Sequence, residues 1–178
     1  MLKELARYGF ALAVAVCLLV PSLGSADSNV STVTITATVD SFAEWDVTSP
    51  AIEASDFDGH ITSVDQAITA LQTLTLYANV NTTITPTGGV NVGILSSETD
   101  TLTTSYKMSG DEIEDDAEWI VAGTGTGEFF AANTYSVTHE DGVGAYEVTL
   151  HVRAEGPGDR APDAGDYTCG VVLTASWD

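Results

Sequence analysis

Apolar side chains fall at every second position over four stretches of this chain, and that spacing decides the fold class. In residues 31–39, Val33, Ile35, Ala37 and Val39 take one face and Thr32, Thr34, Thr36 and Thr38 the other. Between residues 74 and 84 the even positions are Leu74, Leu76, Ala78, Val80, Thr82 and Ile84, with threonine and asparagine mostly opposite. Tyr146, Val148, Leu150 and Val152 alternate with Glu147, Thr149, His151 and Arg153. Further on, Tyr167, Cys169, Val171, Leu173, Ala175 and Trp177 share a side. Neighbouring side chains of an extended chain point to opposite faces, so a period of two marks a strand with one buried face. Threonine outside suits a pleated surface.

Shorter strands are expected over residues 42–47, 90–95, 102–108, 119–122 and 129–137. Glycine and proline separate them at Pro86-Thr-Gly-Gly89, Gly123-Thr-Gly-Thr-Gly127, Gly142-Val-Gly144 and Gly156-Pro-Gly158. Residues 64–71, after Ser63 as a cap, read equally as a short helix or a strand. Many short strands at this spacing give a sandwich or a barrel. In Phe42-Ala-Glu-Trp-Asp-Val47 the two large aromatics cannot share one strand face, so one of them is expected outside.

Residues 1–26 read as a secretory leader. Lys3 and Arg7 supply the positive start, residues 8–20 the apolar run, and Gly24-Ser25-Ala26 the small residues of a cleavage site. The run is shorter than the ~20 residues a membrane-spanning helix needs. Cys17 lies inside it behind bulky Val16, where a lipidation site normally has a small residue. The mature chain, 27–178, is then one domain of ordinary size, expected to be exported and to have no membrane span. It holds three basic residues against 25 acidic ones, a net charge of −22. Nucleic acid and anionic lipid both need basic patches, so neither is expected as a partner. Salt screening or bound divalent cations would relieve the self-repulsion.

Signals for catalysis are absent: there is no paired-histidine zinc motif and no GxSxG elbow. His151 falls on the wet side of its strand, His139-Glu140-Asp141 reads as a turn, and His60 follows Asp56-Phe-Asp-Gly59, an incomplete calcium loop. The densest charge run is Asp111-Glu-Ile-Glu-Asp-Asp-Ala-Glu118. Two readings of it stay open. Asp111, Glu112, Glu114, Asp115 and Asp116 could ligate calcium, which takes six to eight oxygens, or form a solvated loop that guards an edge. No other cofactor is indicated. Asn29-Val-Ser31 and Asn81-Thr-Thr83 match the glycosylation sequon. Trp45, Trp119 and Trp177 keep open a carbohydrate-binding module; Trp177 shares the inward side of its strand and is expected in the core. Cys169 is the one cysteine of the mature chain, so no internal disulfide forms, and it is expected as a small buried residue.

Asp163-Ala-Gly-Asp-Tyr-Thr-Cys169 resembles the tyrosine corner of an immunoglobulin-like sandwich, with Asp163, Gly165 and Tyr167 as its defining residues. In that fold one more strand follows the corner strand, yet the sequence runs only nine residues past Cys169. An earlier segment or a neighbouring molecule is expected to fill the edge. The second half is also similar to the pilin-like domains of the spore coat U type, a branch of the chaperone–usher fimbrial proteins. The matching residues are Tyr106-Lys-Met108, Trp119, Gly123-Thr-Gly-Thr-Gly127, Tyr146-Glu-Val-Thr-Leu-His-Val152 and Pro162-Asp-Ala-Gly-Asp-Tyr167. Those domains usually carry several cysteines, and this chain departs from them there.

The resemblance implies an incomplete sandwich that accepts the N-terminal strand of another copy or a related subunit, with a periplasmic chaperone as transit partner. Residues 27–39 suit that donor, and Val33, Ile35, Ala37 and Val39 would fill successive pockets. The alternative is that they form the first strand of their own domain. The expectation is an all-β, antiparallel, immunoglobulin-like β-sandwich with a structural role at the cell surface. A secreted glycan- or calcium-binding module is the competing reading.

Overall fold

The computed structural model describes residue 34, residues 36–47 and residues 50–177. Among them run eight strands: β1 (Ala43–Trp45), β2 (Ala67–Ala78), β3 (Thr82–Gly88), β4 (Thr103–Gly110), β5 (Ile120–Val121), β6 (Tyr135–Val137), β7 (Ala145–Glu155) and β8 (Val171–Ser176). One sheet has the order β1-β2-β7-β4-β5 and the other β6-β3-β8, and every pairing is antiparallel. The two pack face to face as a β-sandwich. No helix among the described residues is long and apolar enough to cross a membrane.

The order β1-β2-β7-β4 opposite β3-β8 is that of strands A-B-E-D opposite C-F in an immunoglobulin sandwich. β5 and β6 are additions, one on the far edge of each sheet. The seventh immunoglobulin strand would lie beside β8, and no described residue occupies that place.

Period-two patterning explains the core. Leu74, Leu76 and Ala78 of β2, Tyr106 and Met108 of β4, and Tyr146, Val148 and Val152 of β7 are buried. Each buried Leu, Val or Met among them contributes about 1.5–3 kcal/mol by leaving water. The even-numbered alternation across residues 74–84 is correct in facing but belongs to two strands: the chain turns at residues 79–81 and crosses to the other sheet. Ala78, Thr82 and Ile84 stay buried on both sides of that corner. Residues 67–71 resolve as strand, the start of β2, paired with β7 from Ala67↔Glu155 onward. Pro86 sits within β3 because the β8-facing amides are those of alternate residues. Gly89 N–H donates to Gly170 C=O, so Pro86↔Leu173 falls on a position without ladder bonds.

Three expected strands are corrected. In residues 90–95 the chain instead makes a 3-10 turn at Val90–Gly93, with Asn91 and Val92 at positive φ and Val90 and Val92 exposed. In residues 129–137 only Tyr135–Val137 is strand. Phe129 and Phe130 lie in a turn, where Phe129 N–H donates to Val121 C=O and Phe130 N–H to Gly123 C=O. Both rings enter the core against Tyr106, with centroids at 5.1 and 5.5 Å. In residues 31–39, the described residues 34 and 36–39 are exposed and in no strand, so Ala43–Trp45 takes the edge next to β2. An extended segment without a paired edge must leave its backbone groups to water. Val33 and Ile35, like residues 1–26, which were expected to be a leader, lie outside the described residues.

Gly93 is held by this aromatic group. It sits at φ 74°, where a Cβ would run into the Phe130 ring, and its carbonyl accepts the Tyr106 hydroxyl at 2.6 Å. Gly93→Ala is expected to cost about 2 kcal/mol or more in urea unfolding, through overpacking and a disfavoured φ. Val90→Ala, on an exposed side chain three residues away, should change stability by less than about 0.5 kcal/mol.

Candidate functional site

β8 is built like a central strand and placed like an edge. Its Val171, Leu173 and Ala175 turn inward and pack on the core, yet all three stay half-buried, whereas the inward residues of β7 are buried. In the antiparallel ladder, residues 170, 172, 174 and 176 exchange bonds with β3. The amides and carbonyls of Val171, Leu173 and Ala175 therefore point to the opposite side. No described residue pairs with that side. Trp177, expected in the core, is 42% exposed, one residue past the end of β3 pairing at Thr83↔Ser176.

The facing edge of the larger sheet is the three-residue β1, which comes close to β8. Ala43 and Trp45 turn toward the core while Phe42 is exposed, which answers the choice between the two aromatics. Trp45 Nε1 is the one buried side-chain polar atom among the described residues without a hydrogen-bond partner. The arrangement is a sandwich with one long side unfinished between β1 and β8.

The approach to β8 is fixed by the corner at residues 163–167. The Tyr167 hydroxyl donates to the Asp163 carbonyl, 2.9 Å away and four residues upstream, with Asp100 Oδ2 at 3.2 Å beside it. Asp163 and Gly165 themselves are exposed. Asp100, which the sequence analysis did not single out, is only 9% exposed and anchors this corner from the other side. Its carboxylate accepts Asp163 N–H at 3.1 Å and Thr101 N–H at 2.8 Å, and pairs with Arg160 at 2.8 Å. The Asp163 N–H, together with Thr101, Arg160 and Tyr167, holds the Asp100 carboxyl below its ordinary range against the opposing effect of burial. An isolated aspartate has no period and no motif, so only the fold reveals it.

Cys169 is half-buried, with Sγ 3.3 Å from the Tyr106 hydroxyl; burial pushes its thiol pKa up, away from reactivity. The acidic run spends several of its carboxylates inside the chain. Asp111 accepts Glu147 N–H at 3.0 Å, Asp115 accepts Gly110 N–H at 3.1 Å, and Asp116 accepts Met108 N–H at 2.8 Å and the Tyr135 hydroxyl at 2.7 Å. Glu112 and Glu114 are exposed. Among the described residues no three ligating side chains converge to hold a metal ion. Asp58 likewise accepts Thr69 N–H at 2.7 Å and Thr69 Oγ1 at 2.9 Å, which lowers its pKa and ties residues 54–58 to β2.

His139 Nδ1 lies 2.9 Å from the Tyr146 hydroxyl. His151 is half-buried rather than fully solvated, with Nε2 2.9 Å from Ser109 Oγ.

No family model, curated protein or solved structure matches this chain.

The corner has a pH signature. A carboxylate with a depressed native pKa contributes stability above its unfolded pKa, near 3.9, and loses that contribution as pH falls through the lower native value. Asp100→Asn should lower the melting temperature at neutral pH. The gap to the unsubstituted protein should close on acidification below about pH 4. A gap independent of pH would show that the Asp100 charge contributes nothing.

Proposed function

We propose that this chain is an exported structural subunit that assembles by accepting a strand from another copy along β8. The observation that carries the reading is the unpaired side of β8, where three amides and three half-buried apolar side chains share one open edge. An edge with free backbone groups over an apolar floor is a template for strand addition, in which main-chain bonds supply affinity and alternate side chains supply register. The strand order, that of an immunoglobulin sandwich without its last strand, supports it as well. So does the likeness of segments between Tyr106 and Tyr167 to pilin-like domains of the spore coat U type.

The donor in this reading is residues 27–39. Its pattern places Val33, Ile35, Ala37 and Val39 on one side, spaced to fill successive inward positions beside Val171, Leu173 and Ala175. Ala37 and Val39 are exposed and in no strand, which leaves them free to pair. A net charge of −22 on residues 27–178 sets a condition on assembly, because stacked copies repel unless salt shortens the Debye length, about 8 Å at 0.15 M. A periplasmic chaperone capping β8 during export would keep the edge from pairing early.

Deleting residues 27–39 should leave a folded, monomeric protein, while the intact mature chain forms concentration- and salt-dependent oligomers in size-exclusion chromatography. Adding a synthetic peptide of residues 27–39 to the truncated protein should raise its melting temperature. A truncation that unfolds, and is not monomeric and native by circular dichroism, would mean the segment belongs to its own domain.

A further inference from the structure

A second feature lies on the outward face of the larger sheet, away from the β8 edge. β2 pairs Leu71 with His151, and β4 pairs Lys107 with the same His151. β5 pairs Ile120 with Tyr106, which brings Trp119 alongside Lys107. The four side chains therefore form one row across four neighbouring strands, spaced about 4.8 Å from strand to strand. Residues 54–58 rise beyond Leu71 and place Asp56 and Asp58 at the end of the row. Together these groups enclose a cleft of about 480 Å³, within the ~300–1,000 Å³ range of small-ligand sites.

The cleft breaks two habits of the rest of the surface. Leu71 is 54% exposed on a face otherwise carrying mostly hydroxyl and charged side chains, and it lies across the row from the half-buried Trp119. Lys107 is also, among the described residues, the one lysine or arginine outside an ion pair. Arg153 pairs with Glu155, and Arg160 with Asp100 and Asp163. In a chain with 26 acidic residues an ammonium without a carboxylate is uncommon company. Its Nζ lies instead 5.2 Å from the Trp119 ring centroid, a cation–π contact that keeps it at the cleft. His151 meets Trp119 edge-on, bonds Ser109 through Nε2 and keeps Nδ1 for a ligand. Burial first, and Lys107 second, hold its imidazole below the ordinary histidine range against the opposing pull of Asp115.

Charge narrows the ligand. Two carboxylates against one ammonium give the lining no positive field, and the chain as a whole repels polyanions. A metal ion is disfavoured because both Asp58 oxygens are bonded to Thr69 and one Asp56 oxygen to Glu53 N–H. The Lys107 ammonium over the Trp119 ring opposes an organic cation in turn, which favours an uncharged ligand with an apolar face and many hydroxyls. It would pack its C–H face on Leu71 and Trp119, accept from Lys107, and bond His151 Nδ1 and the open Asp56 oxygen.

We infer that this cleft is a binding site for a neutral pyranose saccharide. The test is calorimetric titration of the purified protein with cello-, laminari-, malto-, manno- and xylo-oligosaccharides, with polygalacturonate as an acidic probe. Saturable binding to at least one neutral series is expected. Trp119→Ala should weaken it about tenfold or more, while Trp177→Ala leaves it unchanged. Where Trp119→Ala does not fold, Lys107→Gln and Leu71→Asp read the same cleft. Absence of binding to every neutral series, binding confined to polygalacturonate, or binding undiminished by the cleft substitutions each overturns the inference. Oligomer formation should be unaffected by these substitutions, which separates this site from the β8 edge.

Discussion

Five strands have to be covered by three. That mismatch governs the rest of this molecule, because the sheet β1-β2-β7-β4-β5 offers an inward face two strands wider than β6, β3 and β8. On the β5 side the gap is closed by side chains. Phe129 and Phe130 drop from a turn onto Tyr106, and Tyr135 follows from β6, its ring centroid 6.3 Å from that of Phe129. On the β8 side nothing equivalent is described. The inward residues of β8 remain half-wet, and the amides between them face outward. The same shortage explains a filled core at one side and a receptive edge at the other.

The acidic character of the chain is put to structural use. Asp46, Asp58, Asp100, Asp111, Asp115 and Asp116 each accept a main-chain N–H; Asp100 ties one loop to another, and the others tie a loop to a strand. Carboxylates bond amides more strongly than neutral acceptors do, and an aspartate is short enough to reach the backbone of an adjacent turn. The run at residues 111–118 shows the principle most clearly. Three of its aspartates join β4, β6 and β7, while Glu112 and Glu114, one methylene longer, stay in solvent.

Where a strand is long and one face is buried, the sequence displays it. β7 and the inward sides of β2 and β3 follow from alternation alone, and the corner at Tyr167 from its local motif. Alternation misleads where a strand lacks a neighbour. Residues 36–39 alternate as cleanly as β7 but pair with nothing described, and Trp177 keeps the period of β8 past the point where β3 ends. It also fails at residues 90–95, where the glycines flanking Val90 and Val92 allow a tight turn instead. Asp100 and the row of Leu71, His151, Lys107 and Trp119 were out of reach for a different reason. Their members come from separate segments, and only the register of the sheet lines them up.

The claim that most depends on this geometry is that β8 is an edge awaiting a partner. Amide hydrogen exchange on the monomeric protein addresses it residue by residue. The account requires fast exchange at Val171, Leu173 and Ala175 beside slow exchange at Val172 and Thr174, with the first three becoming protected once a peptide of residues 27–39 is added. Equal protection at all five amides of the monomeric protein would contradict it, because β8 would then be paired on both sides already.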